Sequence, residues 1–197
     1  MKKMNIPNIL SLIRVLLVPL FVLSLLFMDQ TNVWGFIVPA LIYILTGFTD
    51  FLDGKIARKY NLVTDFGKFI DPLADKFMVI ASQIAILVWM LLRGEILLAK
   101  VFVWVVLLIL FRELGVTSIR LVVAGKSGIV VAANMLGKLK TVSQMVGTVV
   151  LIVEPIIPFF CDNHVLSYSF MAIMSVTTLV SGINYLKSYL PYIDPEK

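Results

Sequence analysis

Residues 70–92 read IDPLADKFMVIASQIAILVWMLL: two aspartates four apart, then after Lys76 an apolar run broken by little more than Ser82 and Gln83. About 20 predominantly apolar residues are enough to cross a bilayer as a helix. Acids at the head of such a segment are costly, about 2.5 kcal/mol or more for each ionised side chain inside the span. One stretch therefore decides two things, a membrane fold and a charged site at one end of it.

Working outward, comparable runs fall at 8–28, 35–56, 99–121, 136–154 and 166–188. Together with 70–92 they predict six transmembrane helices in an all-α integral membrane protein. The fifth run is the least regular, because Lys138, Lys140, Ser143 and Gln144 stand at its start. The composition agrees: 197 residues, 60% hydrophobic, 15% charged, with a mean hydropathy of +0.99, where soluble domains carry about 25% charge. With no linker, low-complexity tract or internal repeat, 1–197 reads as a single membrane domain. The first run has no A-x-A-like site after it and is expected to stay in the mature protein.

Lysine and arginine favour the cytoplasmic side of a membrane. The candidate outer loops, 29–34, 93–98 and 155–165, hold Arg93 alone, with Lys100 just beyond, while the other 15 of 17 Lys and Arg lie at the opposite helix ends. Both termini are therefore expected on the cytoplasmic side of the membrane, with residues 1–7 as a short interfacial segment. The net charge of +5 reads as topology and attraction to anionic membrane lipid. No basic soluble face is available, so nucleic acid is not expected as a partner. Cys161 is alone and permits no internal disulfide. The single histidine, His164, falls in an outer loop and is expected to be solvated; bis-histidine haem and histidine-rich zinc sites are excluded.

The stretch 50–75, DFLDGKIARKYNLVTDFGKFIDPLAD, gathers five of the chain's 12 acids. Asp50 and Asp53, three apart near the inner end of the second helix, share one face; so do Asp71 and Asp75 at the start of the third. Asp71 followed by Pro72 also reads as a helix start, with Asp as the cap and Pro in the first helical position. Four carboxylates at one depth repel one another as well as resisting burial. A divalent cation relieves both, and hard oxygen ligands at this spacing suit Mg²⁺ or Mn²⁺. Gly54 and Gly67 would let a ligand approach the backbone, and Lys55, Arg58, Lys59 and Lys68 stand nearby. A carboxylate-held metal with open positions binds phosphates, so metal plus diphosphate is the reading these residues carry.

The stretch 111–144, FRELGVTSIRLVVAGKSGIVVAANMLGKLKTVSQ, supplies the other half of a site. Arg112, Arg120, Lys138 and Lys140 put four cations on the same side of the membrane, more than Glu113 can neutralise. Arginine grips phosphate bidentately, so an anionic acceptor is the natural partner. AGKSG is not a Walker A loop, which needs glycine five residues before Gly125, where Arg120 stands.

The pattern Asp50-x2-Asp53-Gly54-x2-Ala57-Arg58-x8-Gly67-x3-Asp71-x3-Asp75 resembles the complete signature of the CDP-alcohol phosphatidyltransferase family. The resemblance implies that Asp50, Asp53, Asp71 and Asp75 hold the metal, that Asp75 is also the general base toward the acceptor hydroxyl, and that Gly54, Ala57, Arg58 and Gly67 line the CDP site. It also implies a homodimer. The segments 5–21, 65–78, 112–125 and 136–144 further resemble the bacterial members that join CDP-diacylglycerol to sn-glycerol 3-phosphate, with Arg112, Arg120, Lys138 and Lys140 as the candidates for the acceptor phosphate. Inositol phosphate, serine or phosphatidylglycerol remain alternative acceptors. From another class, a divalent-metal transporter could also use membrane carboxylates, but these acids cluster at one end of the helices. CDP-diacylglycerol is expected to enter from the lipid into an open cavity with apolar walls.

Overall fold

A bilayer leaves the backbone no partner but itself, so each apolar run is expected to close its own hydrogen bonds as a helix. A computed structural model describes residues 5–60, 64–127, 135–157 and 163–192, and among them it finds six α-helices and no strand. They are α1 (Ile6–Phe27), α2 (Trp34–Tyr60), α3 (Asp65–Leu92), α4 (Ile96–Ser127), α5 (Met135–Val153) and α6 (Val165–Tyr189). Among the described residues four stretches are long and apolar enough to cross a membrane: Asn8–Phe27, Phe69–Leu92, Met135–Ile156 and Val165–Tyr192. Helix α2 contributes a shorter apolar stretch, Trp34–Asp50.

The packing closes a ring. Helix α1 lies against α2 and α3, α3 against α4, α4 against α6, α6 against α5, and α5 against α2, with α3 also reaching α5 across the middle. Phe21, Leu25, Phe36, Trp89, Met90, Phe102 and Ile109 fill the main core. The outside is apolar as well: Leu16, Phe27, Trp104 and Phe111 are each at least two-thirds exposed, as expected of side chains that face lipid.

Of the polar residues at the head of α5 that made its run irregular, Lys140, Ser143 and Gln144 turn inward, while Lys138 is exposed. Ser143 bonds Thr177 at 2.7 Å and Gln144 donates to Thr178 at 3.2 Å, while Gln83 on α3 donates to Thr148 at 3.0 Å. Such interhelical bonds fix neighbours where lipid offers no hydrophobic drive to pair.

Three expectations are corrected. Helix α3 begins at Asp65, not at Asp71: Thr64 is its cap, accepting the Gly67 N–H at 3.0 Å. Asp71 therefore sits inside the helix, and Pro72 is an interior proline like Pro19 and Pro39, which membrane helices tolerate. Ile6 and Pro7 already belong to α1, with Asn5 at its N-cap, so the expected interfacial segment does not extend to residue 7; residues 1–4 lie outside the described residues. His164 is not simply solvated. Its Nε2 lies 3.0 Å from Glu95 Oε2 and its Nδ1 3.8 Å from Glu154 Oε2.

Candidate active site

Short connections make successive helices antiparallel, so one end of the ring collects the starts of α1, α3 and α5 with the ends of α2, α4 and α6. The chemistry-bearing residues lie at that end.

On α1, Asn8, Ser11 and Arg14 follow at intervals of three and so share a face, and all three are buried. Each reaches toward the acidic segment. The Thr64 hydroxyl donates to Asn8 Oδ1 at 3.0 Å, the Ser11 hydroxyl donates to Asp71 Oδ1, and Arg14 Nη1 lies 2.8 Å from Asp50 Oδ1. Sequence reasoning missed this stripe, although its signal was present as three polar residues at helical spacing in an apolar run. A side chain at Gly67 would place its Cβ 2.9 Å from Asn8 Oδ1 and 3.2 Å from Thr64 Oγ1. A larger residue would press on the side chains through which α1 and the head of α3 meet.

Beside these acids opens a cavity of about 720 Å³. Asp50 and Asp75 line it together with Arg112, Arg120, Lys138 and Lys140, so two of the four expected acids and all four expected acceptor cations face one space. The cations are not equivalent. Arg112 Nη1 donates to Glu113 Oε1 at 2.9 Å and Lys140 Nζ donates to the same oxygen, whereas Arg120 and Lys138 are exposed. Thr141, whose hydroxyl donates to the Gly137 carbonyl at 3.1 Å, adds a polar wall.

Asp71 is held by Ser11 and is not among the residues lining the cavity. Asp53, Gly54, Ala57 and Arg58 continue α2 beyond Asp50; the placement of their side chains lies outside the described residues. Among the described residues no group of three acids, histidines or cysteines is arranged to share one ion. The donors nevertheless fit a hard divalent cation. Asp50 keeps 44% of its side chain exposed despite its contact with Arg14, Asp75 opens on the same cavity, and the two negative charges act on each other. Oxygen donors of one sign around a common space are what Mg²⁺ or Mn²⁺ would bind.

Comparison with known proteins matches residues 4–181 to the CDP-alcohol phosphatidyltransferase family. The chain is 37% identical over 190 residues to the CDP-diacylglycerol–glycerol-3-phosphate 3-phosphatidyltransferase of Bacillus subtilis (strain 168), covering 92% of this chain and 93% of that protein. The protein of the same name from Escherichia coli (strain K12) is 33% identical over 189 residues, covering 93% and 94%. A probable phosphatidylglycerophosphate synthase of Mycobacterium tuberculosis (strain ATCC 25618 / H37Rv) is 35% identical over 182 residues, covering 92% and 80%. A match that begins ahead of α1 and ends within α6, supported by such identity over nearly whole chains, places this chain in the CDP-alcohol phosphatidyltransferase family.

Proposed function

We propose that the protein transfers the phosphatidyl group of CDP-diacylglycerol to sn-glycerol 3-phosphate, forming phosphatidylglycerophosphate and releasing CMP. The observation that carries this reading is the pairing, within one cavity, of Asp50 and Asp75 with Arg112, Arg120, Lys138 and Lys140. The acids suit the diphosphate end of the donor through a bound cation, and the cations suit a phosphorylated acceptor. Family membership and the printed names of the relatives support the same chemistry and stand against a transporter.

In the proposed reaction Arg120 and Lys138, the open cations, draw the acceptor phosphate into the cavity, with Arg112 and Lys140 behind them. Charge-assisted and bidentate contacts of this kind are the strong ones. The acceptor hydroxyl is thereby brought toward Asp75. Asp75 takes its proton as the hydroxyl oxygen bonds to the β-phosphorus of CDP-diacylglycerol, the bond from that phosphorus to the CMP oxygen breaks, and CMP leaves. A general base must stand within hydrogen-bond reach of the proton it removes. Mg²⁺ or Mn²⁺ held by Asp50, Asp53, Asp71 and Asp75 would neutralise the diphosphate and the charge of the leaving CMP. Gly54, Ala57, Arg58 and Gly67 are assigned to the CDP site by their match to the family pattern. The crowding at Gly67, where a methyl group would press on Asn8 and Thr64, gives that glycine a local reason as well.

The bias of Lys and Arg toward this end of the helices supports a cavity on the cytosolic side of the cell membrane, where CMP and glycerol phosphate are soluble. The lipid tails then remain among the apolar outer faces. We take 1–197 as one membrane domain and, by family likeness, the working unit as a homodimer.

The test is CMP release by purified protein in detergent with CDP-diacylglycerol and Mg²⁺ or Mn²⁺, comparing sn-glycerol 3-phosphate with serine, inositol phosphate and phosphatidylglycerol. Turnover confined to sn-glycerol 3-phosphate, and lost on chelation of the metal, is the expected result. Turnover with a different acceptor would overturn the substrate assignment.

A further inference from the structure

Helix α6 carries no residue of the family signature, yet it forms the floor under two of the acceptor cations, Arg112 and Arg120. The Arg112 guanidinium lies over the Tyr185 ring at 5.3 Å, and that of Arg120 lies over the same ring at 5.9 Å. Arg112 is also fixed from both sides: Nη1 donates to Glu113 at 2.9 Å and Nη2 to the Ser181 hydroxyl at 2.7 Å. A side chain at Gly182 would bring a Cβ to 3.3 Å from Arg112 Cγ, so the arginine stem runs close along the α6 backbone.

The ring is itself held. Tyr185 stacks on Tyr189 with centroids 6.3 Å apart and planes 15° apart. Its hydroxyl sits where a Cβ on residue 137 would come within 3.1 Å, so Gly137 leaves the room for it. Tyr185 is 6% exposed and packs with Val116, Val123 and Tyr189.

Two guanidinium groups over one aromatic ring repel each other. The negative face of the ring offsets that repulsion, and Glu113 neutralises at most one charge of the set. An anion seated between the cations removes the remainder. We infer that Ser181 and Tyr185 of α6 are positioning residues that hold Arg112 and Arg120 toward a common phosphate and so determine the preference for a phosphorylated acceptor. This inference rests on the acceptor reading above. It adds a second helix to the acceptor pocket and a role for side chains that touch the cations rather than the substrate.

The experiment compares Tyr185→Leu, Tyr185→Phe and Ser181→Ala with the wild type in two assays. One is calorimetric titration with sn-glycerol 3-phosphate in detergent; the other is steady-state CMP release with each substrate varied in turn. Loss of a desolvated cation–π floor is expected to raise the Kd and KM for sn-glycerol 3-phosphate about tenfold in Tyr185→Leu, with the KM for CDP-diacylglycerol changed less than about twofold. Tyr185→Phe, which keeps the ring, is expected near the wild type. Ser181→Ala is expected between the two and keeps the test decisive if Tyr185→Leu fails to fold. Equal effects on both substrates, a fall in kcat alone, or a Phe variant as poor as the Leu variant would overturn the inference. A wild type that binds sn-glycerol 3-phosphate but does not turn it over would overturn the proposed reaction and leave the binding comparison to decide the role of α6.

Discussion

The two ends of the helix ring each bury acids and stack arginine on aromatic rings, and they use them differently. At the end away from the cavity Glu154 is 1% exposed. Its carboxylate accepts the Leu166 N–H at 2.8 Å, the Ser167 N–H at 3.1 Å and the Ser167 hydroxyl, so it caps α6 from the preceding turn. The positive end of a helix favours an anion there. At the cavity end Asp50 has its contact with Arg14 at 2.8 Å and still keeps 44% of its side chain exposed. The cations differ in the same sense. Arg93 lies over two rings, Phe36 at 5.1 Å and Trp89 at 5.0 Å, and donates to Gln30 at 3.0 Å. Burial pulls its pKa below the ordinary range. Arg112 and Arg120 share one ring. Burial of a charge is thus a poor mark of function; oxygens and charges left over after the local bonds are made, and opening on one cavity, are a better one.

The contrast can be broken by substitution, scored as CMP released per folded molecule. Asp50→Asn removes an open carboxylate and is expected to lower turnover by about a hundredfold or more, since even outer partners of a metal site are worth about 10–100-fold. Near-normal turnover would place Asp50 outside the site. Arg14→Met leaves Asp50 misplaced rather than missing, so a fall of about tenfold is expected, together with a lower melting temperature. That loss should be smaller than the roughly 3–5 kcal/mol of a fully buried broken pair, because Asp50 is partly exposed. At the other end Glu154→Ala should leave turnover unchanged while costing about 1–3 kcal/mol of stability, as buried N–H donors lose their acceptor. A Glu154 variant that melts normally but loses activity would mean that the far end is coupled to the chemistry.

Much of this was legible in the chain. The six helices lie within a few residues of the six apolar runs at most ends, because lipid makes hydropathy and helix nearly the same signal. The acidic segment and the four cations were legible because charge in such a chain is conspicuous. The cap at Thr64 was not, since Asp71 before Pro72 offered a stronger local start signal than a threonine seven residues ahead of Asp71. The supporting bonds were hidden for another reason: Ser11 and Asp71 are 60 positions apart, and Arg112 and Ser181 are 69 apart. A serine inside an apolar run carries no local sign of which helix it will face. His164 was misread in the same way, its carboxylate neighbours being brought to it from α4's approach and from the turn after α5.

The most direct measurement places Asp50→Asn beside Glu154→Ala in one detergent, with CDP-diacylglycerol, sn-glycerol 3-phosphate and Mg²⁺, and counts CMP per folded molecule. A gap of about a hundredfold or more between the two variants, with Glu154→Ala at the wild-type rate, is the predicted result. Equal rates in the two variants would contradict the assignment of the chemistry to the cavity.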